Sequence, residues 1–223
     1  MDSRFPRYAT FDCYGTLINF QIDAAIRRAF RSRLPEGLAA DFLATAERYR
    51  FDEVLGAWKP YRDVIARSTE RTARRYGVAY SEDDGEAIYR RIPTWGPHPG
   101  VTAVLRRLSE SVPLVILSNA ADEQIGTSVD NLGAPFHRVF TAEQARAYKP
   151  RLQAFRFLLE QLDCWPGDIV HVSSSCQYDL RPATDLGVRR LVLVNRRDEP
   201  VYPWLRFQRV DGIEGLPDAI TAS

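Results

Sequence analysis

Four places in the sequence set a reactive side chain at the end of an apolar run or at the start of a helix. They are Asp12 in YATFDCYGTL, Ser118-Asn119 after PLVIL, Lys149 before Pro150, and the segment SSSCQYD from Ser173 to Asp179. Asp12 closes an apolar stretch and opens a glycine-containing turn. A carboxylate there is held in place and loses part of its water, which suits a nucleophile, although Asp and Gly also favour ordinary turns. A lysine beside it would keep it ionised. Lysine is scarce: Lys59 and Lys149 are the only lysines among 30 Lys and Arg residues. A compact, tunable ammonium does what a planar, permanently charged guanidinium does not, so the scarcity draws attention to Lys149. Asn119 and the residues after it read as a helix start, whose free N–H groups bind anions. The same pair also fits a plain helix cap.

For these groups to converge, strands must deliver them to one edge. Tyr8–Asp12, Pro113–Leu117, Val139–Thr141, Ile169–Ser173 and Leu191–Val194 are short apolar runs of the kind a sheet covered on both faces requires. Between them lie helical spacings: Val101, Val104, Leu105 and Leu108; Ile125, Val129 and Leu132; Phe155, Leu158, Leu159 and Leu162. Alternating strands and helices predict a doubly wound parallel sheet, an α/β fold with ligands beyond the carboxyl ends of its strands. Residues 18–95 instead read as wholly helical. Ile22 to Phe30, Ala39–Leu55, a face of Tyr61, Val64, Ile65, Ser68 and Thr72, and Glu82–Arg91 each follow helical spacing. The expected division is therefore 1–17 with 96–223 as a core, and 18–95 as a helical lid inserted after the first strand.

The 223 residues leave room for that core and insert. The net charge of +1 favours neither nucleic acid nor an anionic membrane as partner. There is no signal-peptide core at the N-terminus and no apolar run of bilayer-spanning length. Cys13, Cys164 and Cys176 are odd in number and lack metal spacing, so a reduced, cytoplasmic setting is expected.

FDCYGTL resembles the first motif of the haloacid-dehalogenase superfamily. Leu117-Ser118-Asn119, Tyr148-Lys149-Pro150 and VSSSCQYD (Val172–Asp179) resemble its second, third and fourth motifs, in order. The resemblance covers nearly the whole core and implies a Rossmann-like domain with a helical cap after the first strand. Most members are magnesium phosphatases. They carry a second Asp two residues after the nucleophile and a Gly-Asp pair in the fourth motif. Here those positions hold Tyr14 and Ser173-Ser174. Magnesium wants anionic oxygen ligands, so phosphate-ester hydrolysis is disfavoured. Tyr14 is instead similar to the type II branch, the L-2-haloacid dehalogenases, which use neither metal nor cofactor.

The resemblance then implies roles. Asp12 attacks the halogen-bearing carbon of a small 2-haloacid and forms an ester, and water attacks that ester at the Asp12 carbonyl. Lys149 pairs with Asp12 and helps hold the substrate carboxylate, as do Ser118 and nearby N–H groups. Asp179, with Ser174 or Ser175, orients the water, although the Asn usual near Cys176 in that branch is missing. Thr16 hydrogen-bonds Asp12, and Tyr14 lies in the substrate pocket. Asn119 and a cap arginine, Arg48 in preference to Arg50, cradle the halide. Trp58, Tyr61 and Trp95 wall the pocket or simply pack. Cys13 is a small buried residue, and His98, His137 and His171 form no base arrangement, His171 being a structural strand residue. A homodimer is typical of the branch, though nothing in the sequence demands it. Two alternatives remain open: hydrolytic opening of a strained amino-acid ring of the azetidine-carboxylate type, and a magnesium phosphatase with an altered site. A non-catalytic binding protein would have no reason to keep both Asp12 and Lys149.

Overall fold

Tyr8–Phe11 (β1) is buried along its whole length, as a strand covered on both faces must be. The structure, a computed structural model, describes residues 5–196 and 202–221. Leu114–Ser118 (β2), Arg138–Thr141 (β3), Ile169–Ser173 (β4), Arg190–Val194 (β5) and Gln208–Val210 (β6) complete a six-stranded sheet ordered β3-β2-β1-β4-β5-β6. Every neighbouring pair is parallel. The order reverses at β1, which pairs with β2 on one side and β4 on the other. That reversal is where a crevice opens beyond the strand ends. The α/β doubly wound expectation is met.

Phe20–Trp95 forms one compact unit, and the described residues on either side of it, up to Asn19 and from Gly96 on, form the other. The Phe20–Trp95 unit contains Ile22–Phe30 (α1), Ala39–Leu55 (α2), Tyr61–Arg75 (α3) and Glu82–Tyr89 (α4). The Asp84 carboxylate accepts the Ser81 N–H at 2.8 Å, closing the first turn of α4. It also takes both Arg33 terminal nitrogens, at 2.6 and 2.9 Å, a bidentate pair that ties α4 to the segment after α1. Lys59, the other lysine, pairs with Glu53 at 3.0 Å within this unit.

The sheet-bearing unit carries Val101–Ser109 (α5), Asp122–Leu132 (α6), Ala142–Ala145 (α7), Leu152–Gln161 (α8), Arg181–Asp185 (α9) and Leu216–Thr221 (α10). Val115, Leu117, Phe140 and Leu191 of the sheet pack with Phe155 and Leu158 of α8. Each such side chain contributes about 2 kcal/mol on burial. Three features depart from expectation. The helix after β2 starts at Asp122, not Asn119. Its first N–H donates to the Glu143 carboxylate at 2.8 Å, and Asp122 and Glu123 make its first turn acidic. The first N–H of that helix is therefore taken by a carboxylate of the protein itself. The helix through Leu180 begins with a π-helical turn, Cys176–Leu180, where the Leu180 N–H reaches back to the Ser175 carbonyl at 3.2 Å. Finally β6, polar and three residues long, gave no alternation to read.

Candidate active site

Asp12 directly follows β1 and keeps its backbone in the sheet, donating its N–H to the Val172 carbonyl of β4 at 3.0 Å. The chain then turns sharply. Leu17 and Ile18 donate back to the Cys13 carbonyl at 2.8 and 2.9 Å, and Gly15 adopts a φ of 96°, open to glycine at no steric cost. This turn brings Thr16 back onto the carboxylate: its hydroxyl donates to Asp12 Oδ2 at 2.6 Å. The Thr16 oxygen in turn accepts the Ser174 N–H at 2.9 Å, which joins the loop after β1 to the end of β4.

Lys149 is 1% exposed, and its Nζ lies 2.8 Å from Asp12 Oδ1, 2.7 Å from Asp179 Oδ1 and 2.8 Å from the Leu117 carbonyl. An ammonium has three hydrogens, so all are committed. A substrate carboxylate would have to share one of these three hydrogens to reach Lys149. The lysine is held from behind by Asn119, whose side-chain amide donates to the Lys149 carbonyl at 2.9 Å and whose Oδ1 accepts the Lys149 N–H at 2.7 Å.

Burial pushes the Asp12 carboxyl above its ordinary 3.8, aided by the charge of Asp179 and opposed by Lys149 and Thr16. Burial would likewise depress Lys149, but the two carboxylates override it and hold the ammonium above its ordinary value. Asp179 resists burial through Lys149 and His171 and stays below 3.8. One cation serves two carboxylates, and the shortfall of positive charge falls on Asp12. A poorly compensated carboxylate is the better nucleophile. Cys13 is no rival, because burial and the adjacent Asp12 charge push its thiol far up.

Ser118 ends β2 beside Leu117, and its buried hydroxyl has no hydrogen-bond partner among the described residues. Leaving such a group unpaired costs about 1–3 kcal/mol, which a bound ligand's oxygen would recover. Ser174 Oγ lies 3.2 Å from Thr16 Oγ1. Thr16 has one proton, and the shorter contact to Asp12 takes it, so the Ser174 hydroxyl is left to donate across the longer contact and its oxygen remains an acceptor near the nucleophile. Ser175 accepts the Tyr178 N–H at 3.1 Å through its hydroxyl oxygen and caps the π-helical turn. The Tyr14 hydroxyl is tied to Ser128 of α6 at 2.8 Å.

Two residues to which the sequence assigns no catalytic role stand behind Asp179. Ser173 donates to its Oδ2 at 3.0 Å, and His171 Nε2 lies 3.0 Å from its Oδ1. His171 and Ser173 are two apart on β4 and so share a face; that alternation was a usable signal. Both Asp179 oxygens are thereby engaged, and the side chain is buried. The donor set does not fit magnesium either. Tyr14 and Ser174 hold neutral groups where phosphatases carry acids, and Asp12 and Asp179 are both turned onto an ammonium.

Arg48 lies on α2 in the Phe20–Trp95 unit, exposed, with its guanidinium donating to Thr45 Oγ1 at 2.9 Å. Arg50 instead lies over the Phe20 ring, 5.6 Å from its centroid, and beside the buried Tyr61. Phe20 also meets the buried Trp95 edge-on at 5.1 Å.

A family model for haloacid dehalogenase-like hydrolases matches residues 6–187. The chain belongs to the haloacid dehalogenase-like hydrolases. Among proteins of this family it is similar to (S)-2-haloacid dehalogenase H-109 of Pseudomonas putida, 26% identical over 184 residues that span 79% of this chain and 80% of that protein. Its fold is similar to that of a solved L-2-haloacid dehalogenase, with a TM-score of 0.83 at 21% identity over 97% of this chain and 99% of the other. It is similar as well to the L-2-haloacid dehalogenase of Xanthobacter autotrophicus with chloropropionic acid covalently bound, with a TM-score of 0.77 at 19% identity over 96% and 97% of the two chains. In this haloacid dehalogenase-like hydrolase, Asp12 directly follows the strand at which the sheet order reverses, where an acid can meet a ligand.

Proposed function

We propose that this hydrolase is a metal-independent 2-haloacid dehalogenase. The observation that carries the reading is the buried contact of 2.8 Å between Lys149 Nζ and Asp12 Oδ1, in a site whose remaining phosphatase acids are replaced by Tyr14 and Ser174. The names of the Pseudomonas and Xanthobacter relatives support it. One Asp12 oxygen bonds to the substrate's second carbon as the carbon–halogen bond breaks, and the halide leaves with the bonding pair, inverting the carbon. Water then attacks the Asp12 carbonyl, oriented by the Ser174 hydroxyl, and frees the 2-hydroxy acid. The unpartnered Ser118 hydroxyl receives the substrate carboxylate. Neither the ring-opening nor the phosphatase alternative is favoured by any feature of the site. The substrate is a small carboxylate and the setting reducing and cytoplasmic. Among the described residues no helix is long and apolar enough to cross a membrane.

Halide release from a panel of small 2-haloacids tests the reading, and we expect it to be indifferent to chelator. In heavy-oxygen water, mass spectrometry finds label in the Asp12 carboxylate during turnover; label appearing only in product in a single turnover points to direct attack by water instead. The acid limb of the rate profile lies above 3.8, the ordinary carboxyl value, because Asp12 is raised by burial. Ser118→Ala raises KM roughly tenfold with kcat changed far less, since a hydrogen bond to a charged group is worth about 1.5–3 kcal/mol. An unchanged KM removes Ser118 from the carboxylate site.

A further inference from the structure

We propose that His171 is a positioning residue for the covalent step: its Nε2–H holds Asp179 in place, and Asp179 in turn sets Lys149 against Asp12. The proposal rests on the dehalogenase reading and adds to it a residue that touches no substrate.

The geometry fixes where the ring proton must be. His171 is fully buried on β4, directly opposite Thr10 of β1 in the sheet register. Its Nδ1 lies 2.8 Å from Thr10 Oγ1 and its Nε2 lies 3.0 Å from Asp179 Oδ1. The Phe155 ring meets it edge-on at 5.2 Å, so an apolar wall completes its surroundings. A bare Nε2 lone pair at that distance would face a carboxylate oxygen, acceptor against acceptor. Protonating Asp179 would relieve the clash, but Lys149 at 2.7 Å opposes it. Nε2 therefore carries the hydrogen. Thr10 accommodates either charge state of the ring, since its hydroxyl is 3.0 Å from the Val170 carbonyl as well. It donates to a bare Nδ1, or accepts from a protonated one and turns its own proton to Val170.

The consequence lies in how Lys149 divides itself. The charged groups that face one another here are Asp12, Asp179 and Lys149, and they sum to one negative charge before His171 is counted. Each donor that Asp179 receives from elsewhere lowers its demand on Lys149. His171 and Ser173 supply those donors, so the ammonium keeps its place 2.8 Å from the nucleophile. Without the imidazole, Asp179 draws Lys149 toward itself or takes up a proton, and either change disturbs the charge beside Asp12. Around metal ligands such supporting bonds are worth roughly 10–100-fold in affinity or activity, and a buried, ion-paired nucleophile depends on its supporting shell in the same way.

Two measurements test this. The chain has three histidines, so nitrogen-15 labelling of histidine yields a resolvable spectrum of the ring nitrogens. We expect His171 Nε2 to be protonated near pH 7; a ring protonated on Nδ1 alone overturns the proposal, and this readout needs neither a variant nor turnover. Kinetics of His171→Phe and His171→Gln form the second. The phenylalanine variant, similar in shape but without a donor, should lose roughly 10–100-fold in kcat with KM within about threefold. The glutamine variant, whose amide can place an N–H near the former Nε2, should recover most of that loss. Equal kcat for His171→Phe and wild type, per folded molecule, overturns the proposal, as does an equal loss in both variants. If the wild type releases no halide at all, the dehalogenase reading fails while the ring-proton measurement still decides the role of His171.

Discussion

Asp12→Asn gives a folded protein that releases no detectable halide. The amide has the shape of the carboxylate but lacks its nucleophilic charge, and a covalent mechanism has no substitute for the attacking atom. A loss on the order of 10⁴-fold or more is expected. Residual activity of a tenth of the wild type would end the covalent account. The same substitution has a second, opposite effect on stability. Burial raises the Asp12 carboxyl above 3.8. A group raised in the folded state supports folding below its unfolded value and loses that support as pH rises through the folded one. Near neutral pH the ionised Asp12 is therefore a cost to the native state, and asparagine removes it while Lys149 keeps Asp179. The variant should melt higher than the wild type near pH 7, with the difference shrinking towards pH 4. A lower melting temperature at both would mean that Lys149 depends on Asp12 more than Asp12 costs the fold.

Lys149→Met should damage both activity and stability. Methionine replaces the buried lysine stem but leaves two buried carboxylates and the Leu117 carbonyl without their shared donor. Removing one partner of a buried charged cluster costs about 3–5 kcal/mol. The sign with pH follows. Without the ammonium, both carboxyls titrate above their unfolded values, so the variant is closest to the wild type below about pH 4 and falls away as pH rises. The wild type behaves oppositely at Asp179, which is held below 3.8 and loses its contribution only as pH falls through its folded value. Urea unfolding of both proteins near pH 4 and near pH 7 checks this, and a gap that does not widen towards pH 7 contradicts it. Lys149→Arg is no rescue. A planar fork cannot aim three hydrogens from one atom at two carboxylates and a carbonyl.

The sequence reading was strongest where burial leaves a plain trace. The apolar runs of β1, β2, β4 and β5 announce strands covered on both faces, and Ala39–Leu55 is bounded as read. Asp12 and Lys149 were legible because one ends such a run and the other is an isolated lysine in an arginine-rich chain. What escaped reading depends on distant partners. Nothing local tells that Asn119 clamps the Lys149 backbone, a residue 30 positions away, or that Glu143 occupies the first N–H of α6. That Ser175 caps the Tyr178 N–H is likewise visible only in the fold. His171 read as a strand residue, which it is; its second role needed Asp179 to be placed beneath it.

The π-helical turn at Cys176–Leu180 makes the length of its segment matter more than its composition. Such a turn holds one residue more than an α-helical turn would. Pro182, which has no N–H to offer, stands just beyond it at the start of α9. Taking out a single position would rewind the segment and swing every following side chain by about 100° around the axis, carrying the acid at 179 off the ammonium. Point changes at Gln177 or Tyr178 leave that phase intact. Descendants of this chain can therefore drift in spelling at Gln177 and Tyr178, but a frame-preserving indel there would be lethal to the enzyme.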